Sequence, residues 1–390
     1  MSEIETRLTS DPADFEALAP SVAWAFGDET GGALDWLKNG EPGHVRVAWR
    51  KGKGRIEAGL LEVPMGQWFG GERLSLLGLA GVAIAPEARG QGVAFGLVQA
   101  TLRAARERNV ALSMLYPSTY RLYRKVGYEL AGSWCRFTLQ LRQLPRAARE
   151  LAIDGLDGGA AEALYRRVAC QCNGYLDRGP YVWGRVRATR GKPARGFGVS
   201  GPEGLLGYVY ARPAELGKMP LELRLSDFVA STPGAFRALL SFLAEHSSTA
   251  DRASWHGAPA DARLLGLPER AFDATIEEYW MLRVVHVERA LLGRGYPELD
   301  ADIDLELEDD VLPENTRTYG LRVRAGKAEL GTAASSRRAR LGPRALAALY
   351  SGFVSPRELA WAGQLEADDR ALATLAALFG GPAPGSPDFF

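Results

Sequence analysis

The sequence contains little cysteine and little histidine, which limits the chemistry that its side chains can support. Its three cysteines, Cys135, Cys170 and Cys172, are too few and too unsuitably placed for a disulfide framework, so we expect a protein of the reducing cytoplasm. The four histidines are scattered, and the chain has neither an HxxxH nor a CxxC pair. We therefore expect no metal site.

The sequence also lacks a net charge, a long apolar run and a leader segment. Forty-seven basic residues balance forty-seven acidic ones, which gives no support to nucleic acid or a membrane surface as a partner. The longest apolar stretch, residues 74–85, is too short to span a bilayer and is interrupted by glycine. The N-terminus, MSEIETRLTSDPADFEALAP, is acidic and polar, unlike a secretory signal.

What the chain does contain is enough apolar residues for large cores. It has 390 residues, of which 46% are hydrophobic, so two or three domains are expected. The most informative stretch is GVAIAPEARGQGVAFGLVQATLRAARERN, which begins at Gly81 and predicts a buried strand, a turn and an amphipathic helix. Gly90 and Gly92 leave the backbone N–H groups of this turn accessible. A helix N-terminus with such a turn favours an anion such as a diphosphate.

The spacing in the turn decides between the phosphate-binding loops. A dinucleotide fingerprint would need a third glycine at Phe95, and a Walker loop would need a lysine, which the turn lacks. The pattern R-x-x-G-x-A is present as Arg89, Gly92 and Ala94. It resembles the acetyl-coenzyme-A loop of the GNAT acyltransferases, although an ordinary glycine-containing turn between a strand and a helix has the same pattern.

A second motif follows after one further predicted strand. The helix predicted over residues 118–125 and the sequence LYRKVGYELAG resemble the GNAT segment in which a tyrosine lies close to the cofactor sulfur; Tyr123 holds that position. A phenol can donate its proton to a departing thiolate. The alternative is a core tyrosine whose hydroxyl merely finds a partner. Tyr120 lies earlier on the helix and Tyr128 follows into a strand, so both are weaker candidates.

The rest of the chain predicts two further domains. The middle part repeats the helix-and-hairpin pattern without the loop or the tyrosine segment, and RGFGVS at residues 195–200 is predicted to be a hairpin strand. The last part contains strands and alanine-rich helices, with the arginines of residues 337–340 in a solvated loop. The predicted fold is α+β, with domains at residues 1–145, 146–287 and 288–390.

Three later stretches resemble one GNAT family, the enhanced intracellular survival (Eis) acetyltransferases. They are LSDFVASTPGAFRALLSFLAEH, EEYWMLRVVHVERALLGRGYP and RALAALYSGFVSPRELAWAGQLEADDRALATLAALFG, so the resemblance covers nearly the full chain. It implies an N-terminal GNAT domain that binds acetyl-coenzyme A, a degenerate GNAT-like domain that lacks the cofactor motif, and a sterol-carrier-protein-like domain. It also implies that the terminal carboxylate, here that of Phe390, enters the active site as general base. The alternative is a disordered tail.

The resemblance assigns roles to further residues of this sequence. The aromatic wall of the amine pocket corresponds to Trp36, with Asp28 as a possible cation partner, and Ser118 lies on the cofactor side. The strand and loop that face the cofactor correspond to Val82, Ala83, Ile84, Arg89, Gly90, Gln91, Gly92, Val93 and Ala94. The loop ARGQG has fewer arginines than is common in the family, and SSRRAR replaces the acidic segment expected around residues 333–340.

The expected function is acetyl transfer from acetyl-coenzyme A to a primary amine by direct attack, with Tyr123 as general acid and Phe390 as general base. The family resemblance implies a small cationic substrate, aminoglycoside or polyamine-like, and a homo-oligomer, a hexamer. Two alternatives remain: a protein-lysine acetyltransferase, and a binding protein that uses its carrier-like third domain while the cofactor site is vestigial.

Overall fold

A computed structural model describes residues 3–40, 44–145, 151–189, 191–215, 217, 219–267 and 269–390. The predicted boundary after residue 145 borders on residues 146–150, which lie outside this described part. In the described part of the chain, every helix is too short or too polar to cross a bilayer. The three cysteines are free thiols.

The first part of the chain follows the predicted order of elements, with one strand added at its start. Its elements are β1 (Ile4–Thr9), α1 (Pro12–Phe26), α2 (Thr30–Lys38), β2 (Val45–Arg50), β3 (Ala58–Phe69), β4 (Glu72–Ile84), α3 (Val93–Glu107), β5 (Leu112–Leu115), α4 (Tyr120–Lys125) and β6 (Glu129–Gln140). The start of α1 matches its sequence signal, because the Asp11 side chain caps the backbone of Ala13 and Pro12 occupies the first turn.

The middle part contains the predicted hairpin. Its elements are β7 (Ile153–Gly155), α5 (Gly158–Ala169), β8 (Leu176–Asp177), α6 (Pro180–Arg187), β9 (Ala188–Thr189), β10 (Lys192–Pro193), β11 (Arg195–Gly201), β12 (Gly204–Pro213), β13 (Leu221–Ala230), α7 (Pro233–Glu245), β14 (Ala250–Gly257) and β15 (Phe272–Val284). Strands β11 and β12 pair antiparallel, as the sequence predicts for residues 195–200 and their return strand.

One continuous sheet runs through both parts. Its strand order is β1-β2-β3-β4-β5-β15-β6-β14-β13-β12-β11-β7, and β8 pairs with β3. Strand β15 lies between β5 and β6 and is antiparallel to both. The sheet of the first part is therefore completed by a strand that the chain supplies much later.

The last part packs helices on a separate sheet. Its elements are α8 (Val287–Gly293), β16 (Ala301–Leu307), β17 (Arg317–Arg324), β18 (Lys327–Gly331), β19 (Arg338–Leu341), α9 (Pro343–Ser351), α10 (Pro356–Trp361), β20 (Leu365–Ala367) and α11 (Asp369–Phe379). The strand order is β18-β17-β16-β19-β20. The prediction of a loop at residues 337–340 is wrong, because residues from Arg338 onward form strand β19. This strand buries Ala339 and Leu341 and exposes Arg338 and Arg340.

Helices and sheets share common cores, so the predicted α+β fold class is confirmed. The two faces of β4 enter different apolar clusters. Leu76, Ala80 and Ala83 pack with α1 and the third part, whereas Leu77 and Leu79 pack with α3 and α4. From Leu76 to Ala80 this alternation follows from the two-residue period of a strand, and a register shift before Ala83 returns that residue to the first face. The end of β4 is thus supported from both sides.

Candidate active site

Strands β4 and β5 separate to form a fork. They pair in parallel only where Leu76, Leu77 and Gly78 face residues 112–114. Strand β4 continues to Ile84, so residues 79–84 have no strand partner on the side of β5. Unpaired backbone groups in a strand edge can bind an extended chain that carries amides.

A bulge in β4 lies inside this fork. Gly59 of β3 faces Ala83, and Leu61 faces Ala80, so two residues of β4 stand opposite one residue of β3. Gly81 in the bulge has φ +59, and an added Cβ would lie 2.2 Å from the ring of Trp36. Only glycine fits both the conformation and the space. The ring of Trp36 therefore lies at Gly81, next to the predicted cofactor strand of Val82, Ala83 and Ile84.

The predicted anion turn follows directly. Gly90 and Gly92 have φ +74 and +83, and nothing lies within 4 Å of a Cβ added at Gly90. Gly92 is the N-cap of α3 and offers no side chain to cap the helix. The first backbone N–H groups of α3, which begin at Val93 and Ala94, lack partners within the helix and carry its positive dipole end. Arg89 is exposed beside them.

Polar side chains support the turn from β2. Arg50 donates a hydrogen bond to Oε1 of Gln91, and Nε2 of Gln91 donates to the Glu87 carbonyl oxygen at 2.8 Å. Hydrogen bonds from Arg50 lower the pKa of Glu57 to about 2, despite the opposing effect of burial. Gln91 is thus fixed by neighbours within the turn and on β2.

Tyr123 lies on α4 and is 3% exposed. Its ring packs edge-on against Tyr128 at 6.0 Å between centroids. Burial raises the pKa of Tyr123 to about 12, so the phenol keeps its proton at neutral pH. Tyr128 instead shares a 2.7 Å hydrogen bond with Ser113 on β5.

The last residue of the chain lies at the base of the fork. Phe390 is 7% exposed, and a Cβ added at Gly78 would lie 2.5 Å from its ring. Gly78 is the last residue of β4 that pairs with β5. Phe390 belongs to the apolar cluster on one face of the sheet and Tyr123 to the cluster on the other face. The fork opens between them.

The segment that leads to Phe390 is held by the first part of the chain. Ser133 forms a parallel bridge with Gly385, and its carbonyl accepts a hydrogen bond from the backbone of Ser386 at 3.1 Å. The hydroxyl of Tyr116, which follows β5, donates to the carbonyl of Asp388 at 2.6 Å. Nε1 of Trp134 donates to the carbonyl of Pro387 at 3.3 Å.

The remaining predicted residues lie nearer the surface. Trp36 donates from Nε1 to the hydroxyl of Tyr181 on α6 at 3.1 Å, so the middle part of the chain helps to hold it. Asp28 is exposed, and its Oδ1 accepts a hydrogen bond from the backbone of Glu29 at 2.8 Å. Ser118 is exposed just before α4. The structure gives Asp28 a local role at the start of α2.

Sequence reasoning missed the residues that hold the chain end, among them Tyr116, Arg178 and Asp388. Each is an ordinary residue in its local sequence, and only the fold brings them together. The two closing phenylalanines, Phe389 and Phe390, were a partial signal, because apolar side chains at a chain end favour a segment that is packed rather than solvated. Within the described ranges, no group of three His, Cys, Asp or Glu side chains is arranged to hold a metal ion.

Comparison with known families matches three segments of the chain. Residues 7–131 match a family described as acetyltransferase (GNAT) domain, and residues 174–284 match a second family with the same description. Residues 287–387 match the sterol carrier protein domain family. A comparison with curated proteins finds no match.

Solved structures of similar proteins cover the full chain. A GCN5-related N-acetyltransferase from Anabaena variabilis is 32% identical, with a TM-score of 0.92 over 99% of this chain and 100% of that one. One from Kribbella flavida is 25% identical, with a TM-score of 0.85 over 100% and 99%. Eis1 from Mycobacterium abscessus is 25% identical, with a TM-score of 0.80 over 99% and 100%. The chain therefore belongs to the GCN5-related N-acetyltransferases, with two GNAT domains followed by a sterol carrier protein domain.

Proposed function

We propose that this enzyme uses acetyl-coenzyme A to acetylate primary amines of a small cationic substrate, aminoglycoside or polyamine-like, by direct attack. We further propose that it is a member of the Eis family. The similarity to Eis1 of Mycobacterium abscessus and the order of the three matched domains support that assignment.

The coenzyme has a binding surface that fits its chemistry. Its diphosphate would lie on the backbone amides from Arg89 to Ala94, where Gly90 leaves open space and Gly92 provides no side chain to cap α3. Its amide-containing arm would lie along residues 79–84 of β4, on the side that has no strand partner. Bound there, the coenzyme supplies an activated acetyl thioester. Ser118 would face the cofactor near the start of α4.

Two groups of the protein would move the protons. An amine must lose a proton to act as a nucleophile, and the Phe390 carboxylate would accept it directly or through water. Tyr123 would donate a proton to the leaving thiolate, a role for which its pKa of about 12 keeps it protonated. The observation that carries the proposal is the fork itself, with Phe390 packed at Gly78 on one face and Tyr123 buried on the other.

The amine would enter over the aromatic wall formed by Trp36 and Tyr181, which are joined by a hydrogen bond. Aromatic faces attract cations, and this supports a cationic substrate. Asp28 would attract such a substrate only from the surface, because its carboxylate is exposed and bonded to its neighbouring backbone. We also propose the domain limits 1–145, 146–287 and 288–390, a cytoplasmic location and a hexameric homo-oligomer; the mass of the purified protein in solution tests the oligomer.

Release of free thiol from acetyl-coenzyme A, measured across aminoglycosides, polyamines and lysine peptides, tests the reaction. We expect turnover with the small amines. Faster turnover with the peptides would favour a protein-lysine acetyltransferase, and no thiol release with any amine would favour a binding protein with a vestigial cofactor site.

Two variants test the roles of the proton carriers. Tyr123→Phe should lower kcat by about 100-fold or more while coenzyme affinity stays within about twofold, because only the proton is removed. A chain extended by a few glycine and serine residues after Phe390 should also lose turnover, since its terminal carboxylate no longer ends at the fork. An extended chain that keeps full kcat would exclude the terminal base.

A further inference from the structure

The middle part of the chain holds the end of the chain through a buried cation. The side chain of Arg178, just before α6, is 0% exposed and lies 2.5 Å from Asp227 on β13 and 2.9 Å from Asp388. Nε of Arg178 also donates to Asp388 at 3.0 Å. Asp388 stands two residues before the end of the chain, so this ion pair acts close to Phe390.

The groups around Arg178 satisfy its charge on all sides. Its guanidinium carbon lies 3.5 Å from the centre of the Tyr165 ring and 4.8 Å from that of Trp183. The hydroxyl of Tyr165 donates to Asp388 at 3.3 Å, and that of Tyr208 donates to Asp227 at 2.6 Å. A buried ion cluster adds little net stability compared with apolar packing, but satisfied in this way it allows a single geometry.

The backbone of the last residues is fixed from two sides. From α6, Nε of Arg185 donates to the carbonyl of Phe389 at 3.0 Å. From the catalytic domain, the hydroxyl of Tyr116 donates to the carbonyl of Asp388. These bonds and the Arg178 ion pair leave the terminal residue little freedom, and its ring rests on Gly78.

We propose that Arg178 and Asp388 are positioning residues for catalysis: the second GNAT domain, which lacks the cofactor loop, fixes the terminal carboxylate of Phe390 at the fork of the first. This inference rests on the proposed role of that carboxylate as general base. A base displaced by about 1 Å from its proton can cost about 100-fold in rate, so the ion pair acts on kcat rather than on coenzyme binding.

Asp388→Asn is the direct test. The amide keeps the shape of the side chain and removes its charge, while Arg178 keeps its ion pair with Asp227. We expect kcat to fall by about 10–100-fold with the KM for acetyl-coenzyme A unchanged. Tyr116→Phe, which removes the hydrogen bond to the Asp388 carbonyl but leaves the Asp388 charge in place, should lower kcat by a smaller factor of about 3–10. If both variants keep full kcat, the inference is wrong.

Glu62→Gln is the matched control. Glu62 is a buried carboxylate of the catalytic domain that is bound to Arg46 and Arg108 at 2.6 Å each, and its described bonds do not include the chain end. It should lose stability without the selective loss of kcat. An equal loss of kcat in Glu62→Gln and Asp388→Asn would mean that any buried ion pair has this effect and would overturn the inference.

A double-variant cycle separates this inference from the proposed base. In the chain extended after Phe390, where the terminal carboxylate is displaced, Asp388→Asn should cause less than about a twofold further loss of kcat. The same loss in both backgrounds would show that Asp388 acts independently of the terminal carboxylate and would overturn the inference. If the extension alone leaves kcat unchanged, the proposed base itself fails.

Discussion

The two GNAT domains contain the same fork, but only the first leaves it open. In the second, β13 pairs in parallel with β14 from Leu221 to Arg224 and then diverges, as β4 diverges from β5 after Gly78. Each diverging strand leads to a helix, α7 and α3. The two junctions therefore differ in their side chains and not in their topology.

In the second domain, the protein's own groups occupy the positions that a ligand would take. The hydroxyl of Thr232 accepts a hydrogen bond from the third residue of α7, Ala235, and Pro233 removes one N–H from the first turn. Arg263 donates to the carbonyl of Phe228 in the diverging strand at 2.7 Å, and Asp261 holds it in place. Helix α3 begins at Gly92 without any such cap.

The comparison teaches that the first domain leaves without a cap the helix N-terminus that the second domain caps with its own side chain. Buried or ordered N–H and C=O groups require partners, and a domain can obtain them from its own side chains or from a ligand. The second domain uses a threonine and an arginine, and it contributes α6 and Arg178 to the first domain instead. Three substitutions test this difference, and a fourth tests the protonation of Tyr123 in the first domain.

The largest effect is expected from Gly92→Asp, which places a carboxylate at the N-terminus of α3. The carboxylate would lie beside the open amides of α3 and repel a diphosphate. Coenzyme A should bind at least about 100-fold more weakly by calorimetry. Gly71→Asp is the control, because Gly71 has a similar φ of +85 with open space around it, at the opposite end of β4. If Gly92→Asp binds coenzyme A within about threefold of the wild-type affinity, the diphosphate does not bind at this turn.

Arg263→Met should open the second fork at the expense of stability. The variant loses the hydrogen bond to Phe228 and leaves the Asp261 carboxylate, which is 8% exposed, without its partner. We expect a loss of about 2 kcal/mol in the free energy of unfolding by urea titration. Coenzyme affinity should not change. Arg252→Met, an exposed position on β14, provides the control; an equal loss there would show that the fork is not the cause.

Thr232→Ala removes the cap of α7 alone. Its cost should be about 1 kcal/mol in the free energy of unfolding, the usual value for a lost N-cap. Because Gly92 provides no side-chain cap, the corresponding junction of the first domain has no such contribution to lose. Thermal unfolding with and without coenzyme A tests whether the two junctions are independent. The coenzyme should stabilise Thr232→Ala and the wild type equally. A smaller stabilisation of the variant would mean that the two junctions are coupled.

The smallest effect concerns pH and Tyr123. Burial raises the pKa of this phenol to about 12 from its ordinary 10.0. Loss of the Tyr123 proton should therefore cause no decrease in kcat below about pH 10. The folded state keeps the Tyr123 proton to a higher pH than the unfolded state does. The contribution of Tyr123 to the free energy of unfolding is therefore complete below pH 10 and is lost as pH rises from about 10 to 12. In urea titrations between pH 10 and 12, the free energy of unfolding should decrease less steeply with pH in Tyr123→Phe than in the wild type. An equally steep decrease in both would contradict the raised pKa of Tyr123.

The sequence predicted the first junction well because its signals are local. Gly90, Gly92 and the helical spacing that follows lie within one short stretch, and the middle hairpin at residues 195–200 was equally readable. Strand β1 was missed because it lies at the edge of the sheet and most of its residues are partly or fully exposed, so it shows no apolar pattern. Strand β19 was mistaken for a loop because its exposed arginines hide a short alternation.

The positioning of the chain end could not have been predicted in the same way. Arg178 and Asp388 are separated by 210 positions, and neither belongs to a motif. Their pairing depends on where α6 and the final segment lie on the completed fold. The same is true of Gly78, whose lack of a side chain matters because Met65 and Phe390 pack against it.

Strand β15 has a consequence for how the protein is made. Since it is inserted between β5 and β6, the sheet of the first domain remains divided on the ribosome until residues 272–284 emerge. Closing so long a chain segment is slow compared with forming local contacts. A fragment limited to residues 1–145 would expose one edge of β5 and both edges of β6 and should aggregate, so the first two domains mature as one unit.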